Sequence, residues 1–399
     1  MRTSEVPCAV PAVTHAVMAY LDYNASAPIK PAVADAMGAA LAHGGNPSSV
    51  HGVGRAAREA VERARRSVAA LARTAPEWVV FTGGATEANN QALAGVSGVS
   101  HGVQRILAST IEHESVLALA GEGAAPFTPV PVGADGVVDL AALEAALAEA
   151  PEPALVSLMW ANNETGAIQP IAAAAALAHQ YGALFHSDAA QAAGKVEVDM
   201  EAADVDLLSL SAHKLGGPTG VGALVARPGV DLRPFIRGGG QERRRRGGTE
   251  NVAGIVGFGA AAELARSDIV DTAHITALRD RVETEMEAIA SRDVMFHGRA
   301  ARRLPNTSCV SMRGVGAETQ VIALDLAGCA VSAGAACSSG KVGTSHVLTA
   351  MGLPDSVADT AIRVSLGWGT TAADIDRLID AWAALYRRVG RRVGRAAAA

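Results

Sequence analysis

A chain of 399 residues, 49% of them apolar and 19% charged, can bury more than one hydrophobic core and is excluded from the disordered class. Its 34 Lys and Arg against 40 Asp and Glu leave a net charge of −6, which argues against a general nucleic-acid binder. Cys8, Cys309, Cys329 and Cys337 form neither a CxxC pair nor a disulfide-dense pattern, so a reducing compartment is expected and a metal site is not.

The first 19 residues lack the charged start and apolar run of a signal peptide, and no later run has the length to span a bilayer. A cytoplasmic protein without a membrane contact is therefore expected. The folded part opens at Tyr20-Leu-Asp-Tyr-Asn-Ala-Ser-Ala-Pro28, and Pro31 starts a helix over 31–42. After the loop Gly44–His51, a helix over 54–72 places Arg55, Arg58, Glu62 and Arg66 at helical spacing, which reads as a solvated face.

Short apolar runs at 78–82, 104–109, 126–132, 154–160, 183–188, 206–211 and 221–226 then alternate with helical stretches. That order predicts an α/β fold with a mainly parallel seven-stranded sheet, helices on both faces and ligands at the carboxyl ends of the strands. Arg237 to Asn251 is glycine-rich and basic but does not match GxGxxG, and Arg243–Arg246 reads as a solvated charge run. Helices over 251–291 connect to a smaller α/β domain. Its expected strands are Val294–His297, Ser308–Met312, Ala330–Ala333 and Ile362–Leu366, and its helices 317–327, 345–352 and 372–388. The expected division is an extension at 1–19, a large domain at 20–262, a small domain at 263–388 and a basic tail at 389–399.

The residues that suggest chemistry stand where strands end. Lys214, in Ser211-Ala-His-Lys-Leu215, is a long cation between two interior strands, and one purpose for such an amine is a Schiff base with pyridoxal phosphate. Asp188 ends the run Ala183–Gln191, where a carboxylate could keep a pyridine nitrogen protonated. Gly83 and Gly84 permit a tight turn before a helix opening at Ala85 and Thr86, whose N–H groups and dipole suit an anion. His113 follows the 104–109 strand, and Asn163 lies in Trp160–Gly166 after another. Cys337 sits among small residues in Ser332–Gly340, unlike Cys329 in its apolar run. Arg363, inside the apolar run Ala361–Gly367, needs a partner, either a protein acid in a structural ion pair or a substrate carboxylate.

Asp188-Ala-Ala-Gln191 followed by Ser211-Ala-His-Lys214 resembles the class V aminotransferase group of pyridoxal phosphate enzymes, and within it the cysteine desulfurases of the NifS and IscS type. The resemblance runs from about Tyr20 to Leu385 and implies a fold type I enzyme. It implies a Schiff base on Lys214, Asp188 at the pyridine nitrogen, His113 stacked on the ring, and Asn163 and Gln191 near the ring oxygen. Ala85, Thr86, Ser211 and His213 would hold the phosphate. Arg363, with Asn163, would bind the substrate L-cysteine, and Cys337 would take its sulfur as a persulfide. Thr249 matches a residue that reaches the neighbouring subunit's phosphate, which implies a homodimer with shared sites, and a sulfur-acceptor protein such as an iron–sulfur scaffold is implied as partner. Ser26, Ala27 and the run Lys341-Val-Gly-Thr344 depart from the usual family residues. A selenocysteine or cystine lyase or an aminotransferase would keep Lys214, Asp188 and His113 without a mobile nucleophile, and a cofactor-free scaffold is the reading from another class.

Overall fold

The computed structural model describes residues 18–96, 102–120, 125–149, 153–269, 272–334 and 343–396. The strands, in chain order, are β1 (Ala19–Tyr20), β2 (Val79–Thr82), β3 (Arg105–Ser109), β4 (Phe127–Val130), β5 (Ala154–Ser157), β6 (Leu184–Asp188), β7 (Leu207–Ser211), β8 (Gly222–Ala226), β9 (Val294–His297), β10 (Thr307–Met312), β11 (Cys329–Ala330), β12 (Ser332–Ala333) and β13 (Ala361–Ser365).

The large sheet has seven strands in the order β2-β8-β7-β6-β5-β3-β4. The pairings from β7 through β4 are parallel, and β8 runs antiparallel to both β2 and β7. Every residue of β2, β5, β7 and β8 is buried, because helices cover both faces and an alternating pattern has no solvent side to serve. One core fills the face beneath the helices Gly52–Leu71, Ile171–Gln180 and Val252–Asp268. A second, around Ala92, Leu93, Ile106 and Leu224, fills the face under the helix Ala85–Val96.

Four antiparallel strands, β12-β13-β10-β9, form the smaller sheet of the C-terminal part, packed on the helices Ala273–Ala290 and Ala372–Ala396. Sequence order places Tyr20 with the residues that follow it, yet β1 pairs in parallel with β11, and Ala19 and Leu21 are fully buried in the C-terminal core. Ala330–Ala333, expected as one strand, divides at Val331 into β11 and β12, which pair with different neighbours, β1 and β13. Regular pairing in β5 stops at Ser157, but the Leu158 and Trp160 N–H groups go on donating to the His186 and Asp188 carbonyls at 3.0 and 2.8 Å, so the chain stays beside β6 as far as Trp160. Among the described residues no helix is long and apolar enough to cross a membrane.

Candidate active site

The carboxyl ends of β3, β6 and β7 open onto a cavity of about 730 Å³. Ala85, Thr86, His113, Asn163, Asp188, Gln191, Ser211, His213, Lys214 and Arg363 all line it. A larger concavity of about 900 Å³ between the helices Pro31–His43, Gly52–Leu71 and Val252–Asp268 is lined mostly by small residues and contains none of them, so size does not pick out the site. Thr249 is exposed and lies outside the cavity of its own chain. Cys337 lies outside the described residues.

Each side chain is placed by the element that ends beneath it. Lys214 closes the single tight turn Ala212–Lys214 after β7, and its Nζ donates to the backbone carbonyls of Asn24 at 2.6 Å and Ala25 at 2.9 Å. Asp188, the last residue of β6, is only 7% exposed. Its Oδ1 accepts from the Ala190 N–H at 2.9 Å and its Oδ2 from Asn89 Nδ2 at 2.7 Å. His113 caps the short helix Glu114–Leu117. Its Nδ1 accepts the Ser115 N–H at 3.1 Å, so in the neutral ring the proton sits on Nε2.

The glycine turn is held from three sides. The Gly83 N–H donates to Glu87 Oε2 at 2.6 Å, and Arg246 Nε donates to Oε1 of the same carboxylate at 3.0 Å. A Cβ at Gly222 would lie 2.6 Å from the Gly84 carbonyl carbon, so only glycine in β8 admits this close approach. The first helical bond of the turn is Ala88 N–H to Gly84 O, leaving the preceding N–H groups at the positive end of a twelve-residue helix.

Arg363 answers the sequence alternative with an ion pair. Its Nη2 donates to Asp22 Oδ1 at 2.8 Å and its Nη1 to the Asn163 carbonyl at 3.0 Å, while the buried Nε has no acceptor among the described residues. The guanidinium, 3% exposed, still lines the cavity.

Burial governs the ionisation around the site. His213 is lowered to about 4 by burial and then by the charges of Lys214 and Lys195, so its ring is neutral near pH 7. His186, sealed beneath the site between Ser157 and Ser209, is likewise lowered to about 4 by burial. Glu112, beside His113, is pushed up to about 8 by burial against the bonds from Ser109 and Met159 that oppose it; its Oε2 has no hydrogen-bond partner among the described residues. Burial also raises Glu164 to about 7; its carboxyl accepts from Ser345 Oγ at 2.5 Å.

Sequence reading missed four members of this arrangement: Asn24, Asn89, Lys195 and the Glu87–Arg246 pair. Asn24 is almost fully buried and touches Lys214, Gln191, Lys195, Asn163, Asn306 and Thr307. No spacing announces it, because its partners, Ser365 among them, lie between 139 and 341 residues away. Lys195 stands four residues beyond Gln191, the one hint the sequence contains. Arg243–Arg246 is not simply solvated: Arg246 pairs with Glu87, and Arg243 donates to the Glu77 carbonyl at 2.5 Å.

Residues 19–378 match the family model for aminotransferase class-V. The chain belongs to the class V aminotransferase family. Among curated relatives of this class V chain, a cysteine desulfurase of Cereibacter sphaeroides is 47% identical over 368 residues, covering 90% of this chain and 94% of the relative. The cysteine desulfurase IscS of Dictyoglomus turgidum is 41% identical, covering 90% and 92%. Among solved structures, a NifS-like protein from Rickettsia africae matches with a TM-score of 0.86 at 33% identity, covering 93% of this chain and 99% of that one. The α/β architecture and the seven-stranded, mainly parallel sheet expected from the sequence are those of this family.

Proposed function

We propose that this class V enzyme is a pyridoxal phosphate-dependent cysteine desulfurase that converts L-cysteine to L-alanine and collects the sulfur on Cys337. The observation that supports it best is the convergence of Lys214, Asp188, His113 and Arg363, from four separate segments, on one cavity at the strand ends. The residues fit the cofactor: a buried acid for the pyridine nitrogen, an amine for the aldehyde, and a glycine turn at a helix N-terminus for the phosphate. When bound, pyridoxal phosphate supplies an electron sink that weakens bonds at the amino acid's Cα and, in turn, its Cβ–S bond.

The protein supplies position and proton control. Lys214 would hold the cofactor's aldehyde through Nζ, and its free amine would move the Cα proton. Asp188, oriented by Asn89 and the Ala190 N–H, would accept a hydrogen bond from the pyridine N–H and so keep that nitrogen protonated. His113 would offer Nε2–H to the ring, and the neutral His213 and Ser211 would serve as hydrogen-bonding partners for the phosphate. Arg363 offers its remaining N–H groups to the L-cysteine carboxylate, with Asp22 holding the guanidinium in place. The Cys337 thiolate attacks the substrate sulfur, an S–S bond forms, and the Cβ–S electron pair stays on carbon, which takes a proton to become the methyl group of alanine.

The exposed Thr249 and the open groove between the helices Pro31–His43, Gly52–Leu71 and Val252–Asp268 support a homodimer in which Thr249 of each chain reaches the other's phosphate site. A sulfur-acceptor protein, such as an iron–sulfur scaffold, would remove the persulfide in the cytoplasm. The deciding experiment incubates the protein with L-cysteine and measures the mass of the peptide holding Cys337. One added sulfur, with alanine released, is expected. Cys337→Ala should still change the cofactor spectrum with L-cysteine but make almost no alanine with a reductant present, and normal turnover would end the persulfide proposal. Keto-acid formation in place of alanine would favour an aminotransferase.

A further inference from the structure

We propose that Lys195 is a positioning residue for this reaction: it fixes the side-chain amide of Gln191 so that its N–H, and not its carbonyl, faces the cavity. The inference rests on the function proposed above, in which Gln191 meets the ring oxygen of the cofactor, a hydrogen-bond acceptor.

A glutamine side chain is nearly symmetric in shape, and which end is oxygen is decided by its neighbours. Lys195 Nζ lies 2.7 Å from Gln191 Oε1 and 3.0 Å from Asn24 Oδ1. Both atoms turned toward Lys195 are oxygens: Gln191 Nε2 faces the Asn24 backbone carbonyl, which can only accept, and Asn24 Oδ1 also accepts from Asn306 Nδ2 at 3.0 Å. Gln191 Nε2 then donates one hydrogen to the Asn24 backbone carbonyl at 2.9 Å, and its second hydrogen remains for the cavity that Gln191 lines. The same carbonyl accepts Lys214 Nζ at 2.6 Å, so Lys195 sits one residue's backbone away from the amine that does the chemistry.

An ordinary buried lysine pairs with a carboxylate. The half-buried Lys195 instead binds two amide oxygens, and its neighbours in charge are Lys214 and Arg363. Burial, then those two cations, hold its ammonium well below the usual lysine range. Loss of its proton does not undo the arrangement, since a neutral amine keeps two hydrogens for two acceptors. Without Lys195 the Gln191 amide keeps only its bond to the Asn24 carbonyl, so turning its oxygen inward, where two acceptors would repel, costs one bond instead of two.

Lys195→Met removes the donor while keeping the stem. In the full chain loaded with pyridoxal phosphate, the visible absorption band is expected to shift, and kcat for L-cysteine to fall about tenfold with KM nearly unchanged, the effect of one ordinary hydrogen bond. In a Gln191→Leu background the same substitution is expected to change neither band nor rate further. In the cofactor-free chain, the Gln191 side-chain amide resonance should shift on Lys195→Met. An unchanged band and rate in Lys195→Met, or an undiminished effect in the Gln191→Leu background, would overturn the proposal. If Lys195→Met does not fold, Lys195→Gln, which restores a donor, must give the wild-type band, and a folded Lys195→Gln with a shifted band counts against it. A wild-type chain that takes up no pyridoxal phosphate on Lys214 would instead sink the function; the amide resonance then decides the role of Lys195 alone.

Discussion

At the scale of single residues, most of the site could be read from short motifs because chemistry constrains residue type at strand ends. Asp188 is buried, Lys214 and His113 are half-buried, and all three line one cavity. Glu112 went unremarked although it precedes His113, because only its full burial distinguishes it from a surface acid. That burial predicts a pH effect. The folded carboxyl titrates near 8 against an ordinary value of 4.5, so the folded state keeps a proton that the unfolded state has lost between those values. Stability from this group is present at low pH and drains away as pH rises toward 8, by at most about 1.4 kcal/mol per pH unit. Glu112→Gln has no such proton to lose. Its melting temperature relative to wild type should therefore climb steadily from pH 5 to pH 8, and a constant offset would disprove the titration. Cys309 and Cys329 are fully buried, and burial raises both thiols, the second to about 11. Native protein treated with iodoacetamide should show neither labelled in peptide mass analysis.

At the scale of elements, the helix and strand order was legible because the periodicities of helix and buried strand differ. Connections made by irregular backbone were not. Arg243–Arg246 illustrates this: the run reads as solvated charge, yet Glu242, Arg243 and Arg244 adopt φ of 44, 56 and 67°, a left-handed turn that only tertiary contacts sustain in non-glycine residues. Glu242 supplies those contacts. It is buried, forms a two-point pair with Arg65 at 2.7 and 2.8 Å, and accepts the Phe81 N–H of β2 at 2.9 Å. Glu242→Ala would remove the buried partner of Arg65 and leave its charge to the half-exposed Glu62 alone. A loss of about 3–5 kcal/mol in urea unfolding is expected. Because Arg246 follows and grips Glu87 under the glycine turn, weaker cofactor binding should accompany it.

At the scale of the whole molecule, the N-terminal segment ties the two sheets together. Leu21 is fully buried in the C-terminal core, and Asn24, three residues on, holds Lys214 and Gln191 from the large sheet and Thr307, Asn306 and Ser365 from the small one. Asn24→Ala would strand several buried donors and acceptors at once. Its unfolding free energy should drop by about 3 kcal/mol or more, and its turnover should fall further than the stability loss explains. Retained turnover in a destabilised variant would show that the hub is structural only.

The sequence by itself determined the fold class and the order of elements, because hydrophobic periodicity is a local property that a chain displays at each position, and it placed the candidate reactive groups at strand ends. Only the tertiary structure decided which polar groups hold those reactive groups in place. Asn24, Asn89, Lys195 and Glu242 draw their meaning from partners up to 341 residues away, and a hydrogen bond across that distance leaves no spacing in the sequence to find.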